Sequence, residues 1–284
     1  MTTYVSELWR RLFQNIDEEY MEVFIVTSQA SGALKSEGRQ FGVGKSTLAI
    51  WIAYRAFAYA QGKVRIDWGR KTIVDESSED EMVELMKHII DNYVVWTLDD
   101  FLSLIASADA RIPAVLWDDV QLDCPAWSHI PKEKREKIER LSVARQMVAN
   151  IILTAPAISE IAKPLRKYIS WEVIVPRRGV YEIQFISKSR NFRNPYTDKA
   201  RLLYDTAGAF EPLPEEVMEY YISKRLQTTK NIIAPQTTQD MKSKIIELLQ
   251  KGYDVSNIAT ITHMKKTKIL EIINEVRGQG ERQS

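Results

Sequence analysis

A short glycine-rich segment contains the first residues of this sequence whose types and spacing could do chemistry. Residues 42–47 read Gly-Val-Gly-Lys-Ser-Thr and lie between an apolar run and a segment with helical periodicity. Backbone N–H groups of such a loop can cradle phosphates, while Lys45 reaches the outer phosphates and the Ser46 hydroxyl binds Mg²⁺. Glycines are needed because the chain approaches the anion in conformations that a Cβ forbids. The predicted nucleotide-binding residues are Gly42, Gly44, Lys45, Ser46 and Thr47.

The loop departs from the full phosphate-loop pattern at its first glycine. That pattern is Gly-x-x-x-x-Gly-Lys-Ser/Thr, and it asks for glycine at position 39, where this chain has Arg39. Gly38 lies one residue before the position that the pattern requires. The loop that begins at Ser28 is also longer than the usual connection between the strand and the glycines of a phosphate loop. The alternative is a chance Gly-Lys-Ser sequence at the start of a helix.

A pair of carboxylates follows a second apolar run. Residues 113–117 predict a buried strand, and Asp118 and Asp119 come directly after it. We expect Asp118 to lie beside the water shell of the metal and Asp119 to polarise the attacking water. Many strands end in a solvated acidic turn, so the pair is informative because it follows a lysine–serine loop.

The elements that would position these residues alternate between strands and helices. Strands are predicted over residues 23–26, 93–96, 113–117, 151–154, 171–175 and 180–186, and helices over 4–16, 45–59, 79–91, 98–108, 132–148, 159–168 and 213–226. This alternation is typical of an α/β fold with a mostly parallel, helix-flanked sheet. Arg178-Gly179 between two strand patterns indicates a β-hairpin near the end of that sheet.

The two motifs together resemble those of P-loop ATPases with an additional strand between the nucleotide motifs and a catalytic acidic residue. That group includes AAA-type, packaging and partition ATPases. The layout is similar to ATPases of archaeal viruses and plasmids in residues 44–47, 96–101, 117–119, 204–207 and 212–216. The resemblance spans roughly residues 20–226, and it implies a P-loop NTPase fold, ATP and Mg²⁺ as cofactors, and ATP hydrolysis. Residues 93–96 are the implied additional strand, and Asp119 stands where the family usually has Glu.

The same resemblance implies a γ-phosphate sensor and an arginine that completes the site of a neighbouring subunit. Thr154 ends the strand after the acidic pair and is the implied sensor, although it could instead cap the next helix. Arg166 ranks first as the trans-acting arginine, with Arg145, Arg177 and Arg178 as the other candidates. Any one of these arginines could equally be a solvated surface residue. A nucleotide-dependent homo-oligomer is therefore expected.

The C-terminal part of the chain predicts a small helical module. Residues 227–239 are polar and lack periodicity, which indicates a linker, and residues 240–284 contain three short helical patterns. Their spacing resembles a helix-turn-helix, whose last helix enters the major groove of double-stranded DNA. The predicted DNA contacts, at the start of that helix, are Lys265, Lys266, Thr267 and Lys268. Residues 240–277 hold seven basic and five acidic residues, so a three-helix oligomerisation or docking module is the alternative.

Composition restricts the class of protein. The 284 residues are 45% hydrophobic and 27% charged, which excludes collagenous, low-complexity and wholly disordered chains. The single cysteine, Cys124, favours a reducing, cytoplasmic compartment, and the sequence predicts no membrane-spanning segment. Residues 72–123 contain thirteen acidic and two basic residues, whereas 161–201 contain ten basic and three acidic ones. These segments are either complementary surfaces for assembly or two solvated faces.

The sequence therefore predicts an ATPase domain over residues 1–226, with a helix over 1–19, followed by the linker and the DNA-binding module. We expect an ATP-hydrolysing, DNA-binding protein of a mobile element that serves replication, partition, packaging or transposition. One alternative is a nucleotide-switched DNA-binding regulator with negligible hydrolysis. A P-loop kinase is a further alternative, but it explains neither Asp118-Asp119 nor the helical tail.

Overall fold

The chain forms two compact units, residues 1–221 and 222–284. The computed structural model describes residues 3–4, 6–28, 44–126, 130–187, 201–233, 245–249, 252–262, 266–267 and 269–273.

Two β-sheets lie in the larger unit, and within the described residues they have seven and three strands. The strands are β1 (Thr3–Tyr4), β2 (Glu22–Thr27), β3 (Val64–Asp67), β4 (Thr72–Asp75), β5 (Val94–Val95), β6 (Ile112–Trp117), β7 (Val148–Thr154), β8 (Trp171–Arg177), β9 (Val180–Ser187) and β10 (Arg201–Ala209). The large sheet has the order β10-β9-β8-β2-β7-β6-β5, and the small one has the order β1-β4-β3. Strands β8, β2, β7, β6 and β5 are parallel, whereas β9 and β10 pair antiparallel at one end. The predicted mixed α/β fold with a largely parallel central sheet is confirmed.

Helices cover this sheet because its central strands are apolar on both faces. The helices of the larger unit are α1 (Glu7–Asp17), α2 (Lys45–Ala60), α3 (Glu79–Asn92), α4 (Leu98–Ala106), α5 (Val120–Asp123), α6 (Lys132–Glu139), α7 (Lys163–Arg166) and the first part of α8 (Glu215–Ile233). Helix α2 packs against β2, β6 and β7 and also contacts α1 and α3. Its residues from Leu48 to Ala58 are buried except Arg55, as expected for a helix enclosed on several sides.

The chain order of the parallel strands creates a crevice at the carboxyl edge of the sheet. The connection that leaves β2 leads to the β5 edge, whereas the connection that leaves β7 passes to β8 on the other side of β2. Connections that diverge in this way leave a gap above the strand ends, and ligands of open α/β sheets bind in such gaps. The ends of β2, β6 and β7 all point to this edge.

The strand predicted over residues 93–96, between the two motifs in the chain, is present as β5. In the sheet, the strand that lies between β2 and β6 is β7, which follows both motifs in the chain. All seven residues of β7 are buried, as expected for a strand with neighbours on both sides and helices on both faces. Strand β5 has only two residues and lies at the edge.

Two predicted helices are shorter in the structure. The helix predicted over 132–148 ends at Glu139, and residues 140–142 and 144–146 form 3₁₀ turns before β7 begins. Leu141 and Ala144 are both buried, and their spacing of three residues places them on one side of a 3₁₀ helix. The helix predicted over 159–168 is likewise reduced to a 3₁₀ turn, residues 158–160, and the single turn of α7.

Some elements have no counterpart among the sequence predictions. Strands β3 and β4 form a hairpin that pairs with β1, which occupies Thr3–Tyr4 where the helix over 4–16 was expected to begin. The hairpin predicted at Arg178-Gly179 is present as β8–β9, and β10 extends it by a third strand.

The smaller unit contains its own cluster of apolar side chains. Helical segments cover residues 245–249 (α9), Val255–Thr262 (α10), 266–267 and 269–273. The buried residues are Ile245, Ile258, Ile269 and Ile272. Helix α8 continues to Ile233 and so enters the segment predicted to be an irregular linker, whose residues 234–239 lie outside the described part of the chain. Among the helices that the structure describes, none combines the length and the apolar character needed to cross a membrane.

Candidate active site at the carboxyl edge of the sheet

Helix α2 begins at the glycine that the sequence placed in the phosphate loop. Gly44 has φ +98°, a left-handed conformation that side chains rarely adopt, and its carbonyl accepts the N–H of Leu48 at 2.9 Å. A Cβ at Gly44 would lie 3.3 Å from the ring of Phe210. A side chain here would be strained by the backbone conformation and would also require the ring to move by a few tenths of an ångström. Gly42 lies outside the described residues.

Three of the predicted nucleotide-binding residues form the first turn of α2. Lys45, Ser46 and Thr47 are half-buried there, at the positive end of the helix dipole. The first N–H groups of a helix have no partners within the helix, so this end favours an anion.

Asp118 brings the two predicted motifs together. Its carboxylate is fully buried at the end of β6, and its Oδ1 accepts the Ser46 hydroxyl at 3.1 Å. Its backbone N–H donates to the carbonyl of Val95 at 2.9 Å, which continues the pairing between β6 and β5. The residues that the sequence proposed for a metal, Ser46 and Asp118, are thus in direct contact.

Thr154 ends β7 and contacts both residues of the acidic pair. Strands β6 and β7 are parallel with Trp117 opposite Leu153, so the residues that follow these two are neighbours. The Thr154 hydroxyl donates to Asp118 Oδ1 at 2.5 Å and accepts the backbone N–H of Asp119 at 2.8 Å. The structure therefore joins the predicted sensor to the acidic pair.

Asp119 has an unusual backbone conformation. Its φ of 48° and ψ of 42° lie in the left-handed region, which costs a non-glycine residue about 1–3 kcal/mol. The residue is half-buried, and its Oδ1 accepts the Gln121 amide at 3.4 Å. Such strain is concentrated at functional sites, and here the bond from the Asp119 N–H to Thr154 helps to hold it.

The segment between β10 and α8, together with α8 itself, also contacts residues of the site, and the sequence did not predict these contacts. The ring of Phe210 lies against Gly44, the indole N–H of Trp51 donates to the carbonyl of Glu211 at 2.9 Å, and the Tyr221 hydroxyl donates to Asp118 Oδ2. Tyr221 and Asp118 are 103 residues apart, and no motif spacing relates them.

A magnesium ion fits the donor set at this site. Mg²⁺ in nucleotide sites is held by one or two carboxylates, hydroxyls, waters and phosphate oxygens rather than by a protein cage. Ser46 and Asp118 supply one hydroxyl and one carboxylate. Within the described residues no cluster of three or more His, Cys, Asp or Glu side chains could hold a metal ion alone.

The four candidate trans-acting arginines differ in how far they are exposed. Arg166 is half-buried, and its guanidinium donates to the carbonyls of Ile161 at 2.7 Å and Ser159 at 2.6 Å. Arg145, Arg177 and Arg178 are exposed.

Cys124, which follows the acidic pair closely in the sequence, is fully buried in the structure. Burial is the main factor that raises the pKa of its thiol, to about 12, and the neighbouring Asp123 carboxylate acts in the same direction. The reactive form of a cysteine is the thiolate, so this side chain is part of the packing and not a nucleophile near neutral pH.

Two of the predicted DNA-contacting residues are described. Lys266 and Thr267 are exposed and helical in the smaller unit. Lys265 and Lys268 lie outside the described residues.

No protein-family model matches this chain, and no match was found among curated proteins. A solved structure that is similar in part is the crystal structure of the N-terminal domain of zonular occludens toxin from Neisseria meningitidis. The two chains share 13% sequence identity at a TM-score of 0.31, over 70% of this chain and 98% of the other. A likeness this weak carries no argument about function, so the functional conclusions depend on the geometry of the site itself.

Proposed function

We propose that the larger unit is a P-loop ATPase domain, which binds ATP with Mg²⁺ at the start of α2 and hydrolyses it. The observation that carries the proposal is the 3.1 Å contact between Ser46 and Asp118, which joins motifs 72 residues apart. If the Gly-Lys-Ser sequence at the start of the helix were there by chance, we would not expect it to contact a buried carboxylate at the end of a strand. The left-handed conformation of Gly44, in which a side chain would be strained, supports the same assignment.

In this proposal the start of α2 binds the phosphates. The helix N-terminus supplies N–H donors and the positive end of the helix dipole, and Lys45 adds the charge that pairs with the β- and γ-phosphates. Gly44 and Thr47 belong to the same turn, and Gly42 is included in the proposal on the sequence motif alone. Bound Mg²⁺ would neutralise charge on the phosphate oxygens, with Ser46 and Asp118 as the side chains that hold it.

In this proposal Asp119 polarises the attacking water. Thr154 contacts the γ-phosphate. The contact of the Asp119 N–H with Thr154 supports a shared role, because a shift of either residue changes the other. Asp119 has a shorter side chain than the glutamate that the resemblance implies. A carboxylate must lie within about 3.2 Å of the water that it activates. The left-handed backbone of Asp119 therefore affects where its short side chain places the carboxylate.

We extend the proposal to DNA. The isoleucine cluster of the smaller unit and the exposed Lys266 and Thr267 support a small helical module that presents polar side chains to a partner. Double-stranded DNA is the partner that the sequence resemblance implies, together with a role in the replication, partition, packaging or transposition of a mobile element. The alternatives are a nucleotide-switched regulator that does not hydrolyse ATP and, less favoured, a kinase.

A nucleotide-dependent homo-oligomer is part of the same proposal. Residues 72–123 are mostly acidic and residues 161–201 mostly basic, which supports a head-to-tail contact between subunits. The charges would guide and align the subunits more than they would stabilise the contact. Arg166 already donates to two carbonyls of its own chain, so a role in trans requires that its guanidinium be released. The other candidates are exposed: Arg145, and Arg177 and Arg178 where β8 turns into β9.

The first test is a nucleotide-binding and turnover assay on Lys45→Ala. We expect this variant to keep its fold and to lose about 100-fold or more in ATP turnover, because the charge paired with the phosphates is gone. Lys63→Ala is the matched control, since Lys63 is a surface lysine paired with Glu81. Unchanged ATP affinity and turnover in Lys45→Ala would refute the nucleotide site.

The same assay separates the alternatives when it is repeated with and without duplex DNA. An ATPase stimulated by DNA should lose the stimulation when residues 240–284 are removed, while its basal turnover persists. ATP binding without turnover favours the nucleotide-switched regulator. Duplex affinity that is equal in the truncated and the whole chain would refute DNA binding by the smaller unit.

A further inference from the structure

Tyr221 touches the candidate metal-binding carboxylate from an element outside both motifs. Its hydroxyl donates to Oδ2 of Asp118, while Ser46 and Thr154 donate to Oδ1 of the same carboxylate. Tyr221 is 3% exposed and Asp118 is 0% exposed. Both oxygens of a fully buried carboxylate are therefore held by hydroxyl groups from three different elements, α2, β7 and α8.

Because the Asp118 carboxylate is buried, its stability depends on these hydroxyl groups. A charged carboxylate loses its water shell inside a protein, and hydrogen bonds to its oxygens replace part of that stabilisation. Donors on both oxygens also fix the rotation of the carboxylate about its Cβ–Cγ bond. Oδ1 faces Ser46 and Thr154, and Oδ2 faces Tyr221.

The position of Tyr221 is determined by how α8 packs. Leu213, Val217 and Tyr221 are spaced four residues apart, and all are buried against the core of the larger unit. Beside them, the Tyr220 hydroxyl donates to both oxygens of Asp91 on α3, at 2.8 and 2.7 Å. Lys87 of α3 pairs with Glu216 of α8 at 3.0 Å.

We propose that Tyr221 is a positioning residue, which sets the Asp118 carboxylate in the orientation that Mg²⁺ requires. The inference rests on the proposed function, because it takes Asp118 as the carboxylate that serves Mg²⁺. Tyr221 acts through Asp118 and not on the nucleotide. Residues that orient a metal-binding side chain typically change metal affinity about 10–100-fold when they are altered.

The test is the Mg²⁺ dependence of nucleotide binding in Tyr221→Phe, measured on the whole chain. Phenylalanine keeps the buried ring and removes only the hydroxyl. A fluorescent ATP analogue is titrated first in EDTA and then at increasing Mg²⁺. We expect an unchanged affinity in EDTA and a roughly tenfold higher half-saturating Mg²⁺ concentration.

Tyr220→Phe is the matched control, because it removes the same group one residue earlier on the same helix, where the partner is Asp91. It should match the wild-type protein at every Mg²⁺ concentration. In an Asp118→Asn background, Tyr221→Phe should produce no further shift, because the group through which it acts has been changed.

The outcomes distinguish the inference from the proposed function. Mg²⁺-dependent binding that is the same in wild-type protein and Tyr221→Phe overturns the positioning role and leaves the nucleotide site intact. Affinity that falls equally in EDTA and in Mg²⁺ also overturns it, since the effect is then on packing. Circular dichroism checks the fold, and a Tyr221→Phe variant that is unfolded where Tyr220→Phe is folded assigns the hydroxyl to stability and overturns the role. A wild-type chain that binds no ATP analogue overturns the proposed function and the inference with it.

Discussion

At the scale of single residues, the site depends on two neighbouring aspartates in different environments. Asp118 is fully buried and held through hydroxyl donors, whereas Asp119 is half-buried with a strained backbone. A buried, oriented carboxylate suits a metal ion, and a partly accessible one suits a water molecule. Their different surroundings give the two adjacent residues different expected roles.

Substitution of each aspartate by asparagine should separate these roles. Asp119→Asn is expected to keep Mg²⁺-dependent ATP binding and to lose about 10²–10⁴-fold in turnover, because the group that polarises water loses its charge. Asp118→Asn is expected to weaken binding itself, with roughly tenfold more Mg²⁺ needed for half saturation. Binding by fluorescence and turnover by phosphate release measure the two effects.

Asp109→Asn is the control, since Asp109 is an exposed acidic residue elsewhere in the same unit. Full turnover in both Asp118→Asn and Asp119→Asn would mean that the carboxylates of the site lie elsewhere.

At the scale of elements, β10 and the segment that follows it complete the larger unit. The segment from Phe210 to Tyr221 contacts Gly44, Trp51 and Asp118. It can do so because β10 pairs with β9, with Gly208 opposite Tyr181. The packing between these two residues is therefore a structural requirement for the site.

Gly208→Ala should destabilise the larger unit by about 1–3 kcal/mol, the range for overpacking a core. A Cβ at Gly208 would overlap the ring and hydroxyl of Tyr181, which is fully buried and bonded to Ser6. Urea denaturation measures the free energy of unfolding. Gly69→Ala is the control, because a Cβ there meets only the side chain of Asp67, at 3.3 Å. Equal stability of the two variants would contradict this account of β10.

At the scale of the whole molecule, acidic and basic charge are concentrated in different parts of the chain. Residues 72–123 include the end of β6 with Asp118 and Asp119, so part of the acidic segment borders the site. Exposed charge pairs contribute only about 0–1 kcal/mol each, so complementary segments orient subunits but do not hold them together. ATP bound between subunits would provide the remaining stabilisation.

We therefore expect a monomer or weak dimer without nucleotide and a larger, salt-sensitive assembly with a non-hydrolysable ATP analogue. Light scattering at low and high salt measures this. Arg166→Ala should retain ATP binding and lose turnover if that arginine acts in trans, and mixing it with Asp119→Asn subunits should restore part of the activity. A monomer under all conditions, with turnover per subunit independent of concentration, would contradict the assembly.

The sequence alone predicted the elements whose signals are local. Three elements are each specified by a few consecutive residues: the apolar run of β6 followed by Asp118-Asp119, the helix that starts at Lys45 and the hairpin at Arg178-Gly179. Periodicity and turn chemistry act over that range, so these elements are present as predicted. Strand β10 was missed because no comparable local signal marks it.

Strand order and the contacts of the site needed the tertiary structure. The sequence placed Ser46 and Asp118 at a common metal, and the structure brings them within 3.1 Å. The sequence could not show that β7 lies between β2 and β6 while β5 lies at the edge, because neighbours in a parallel sheet are set by crossovers and burial. Nor could it assign Tyr221 to Asp118, since that contact arises from the packing of α8 on the core across 103 residues of chain.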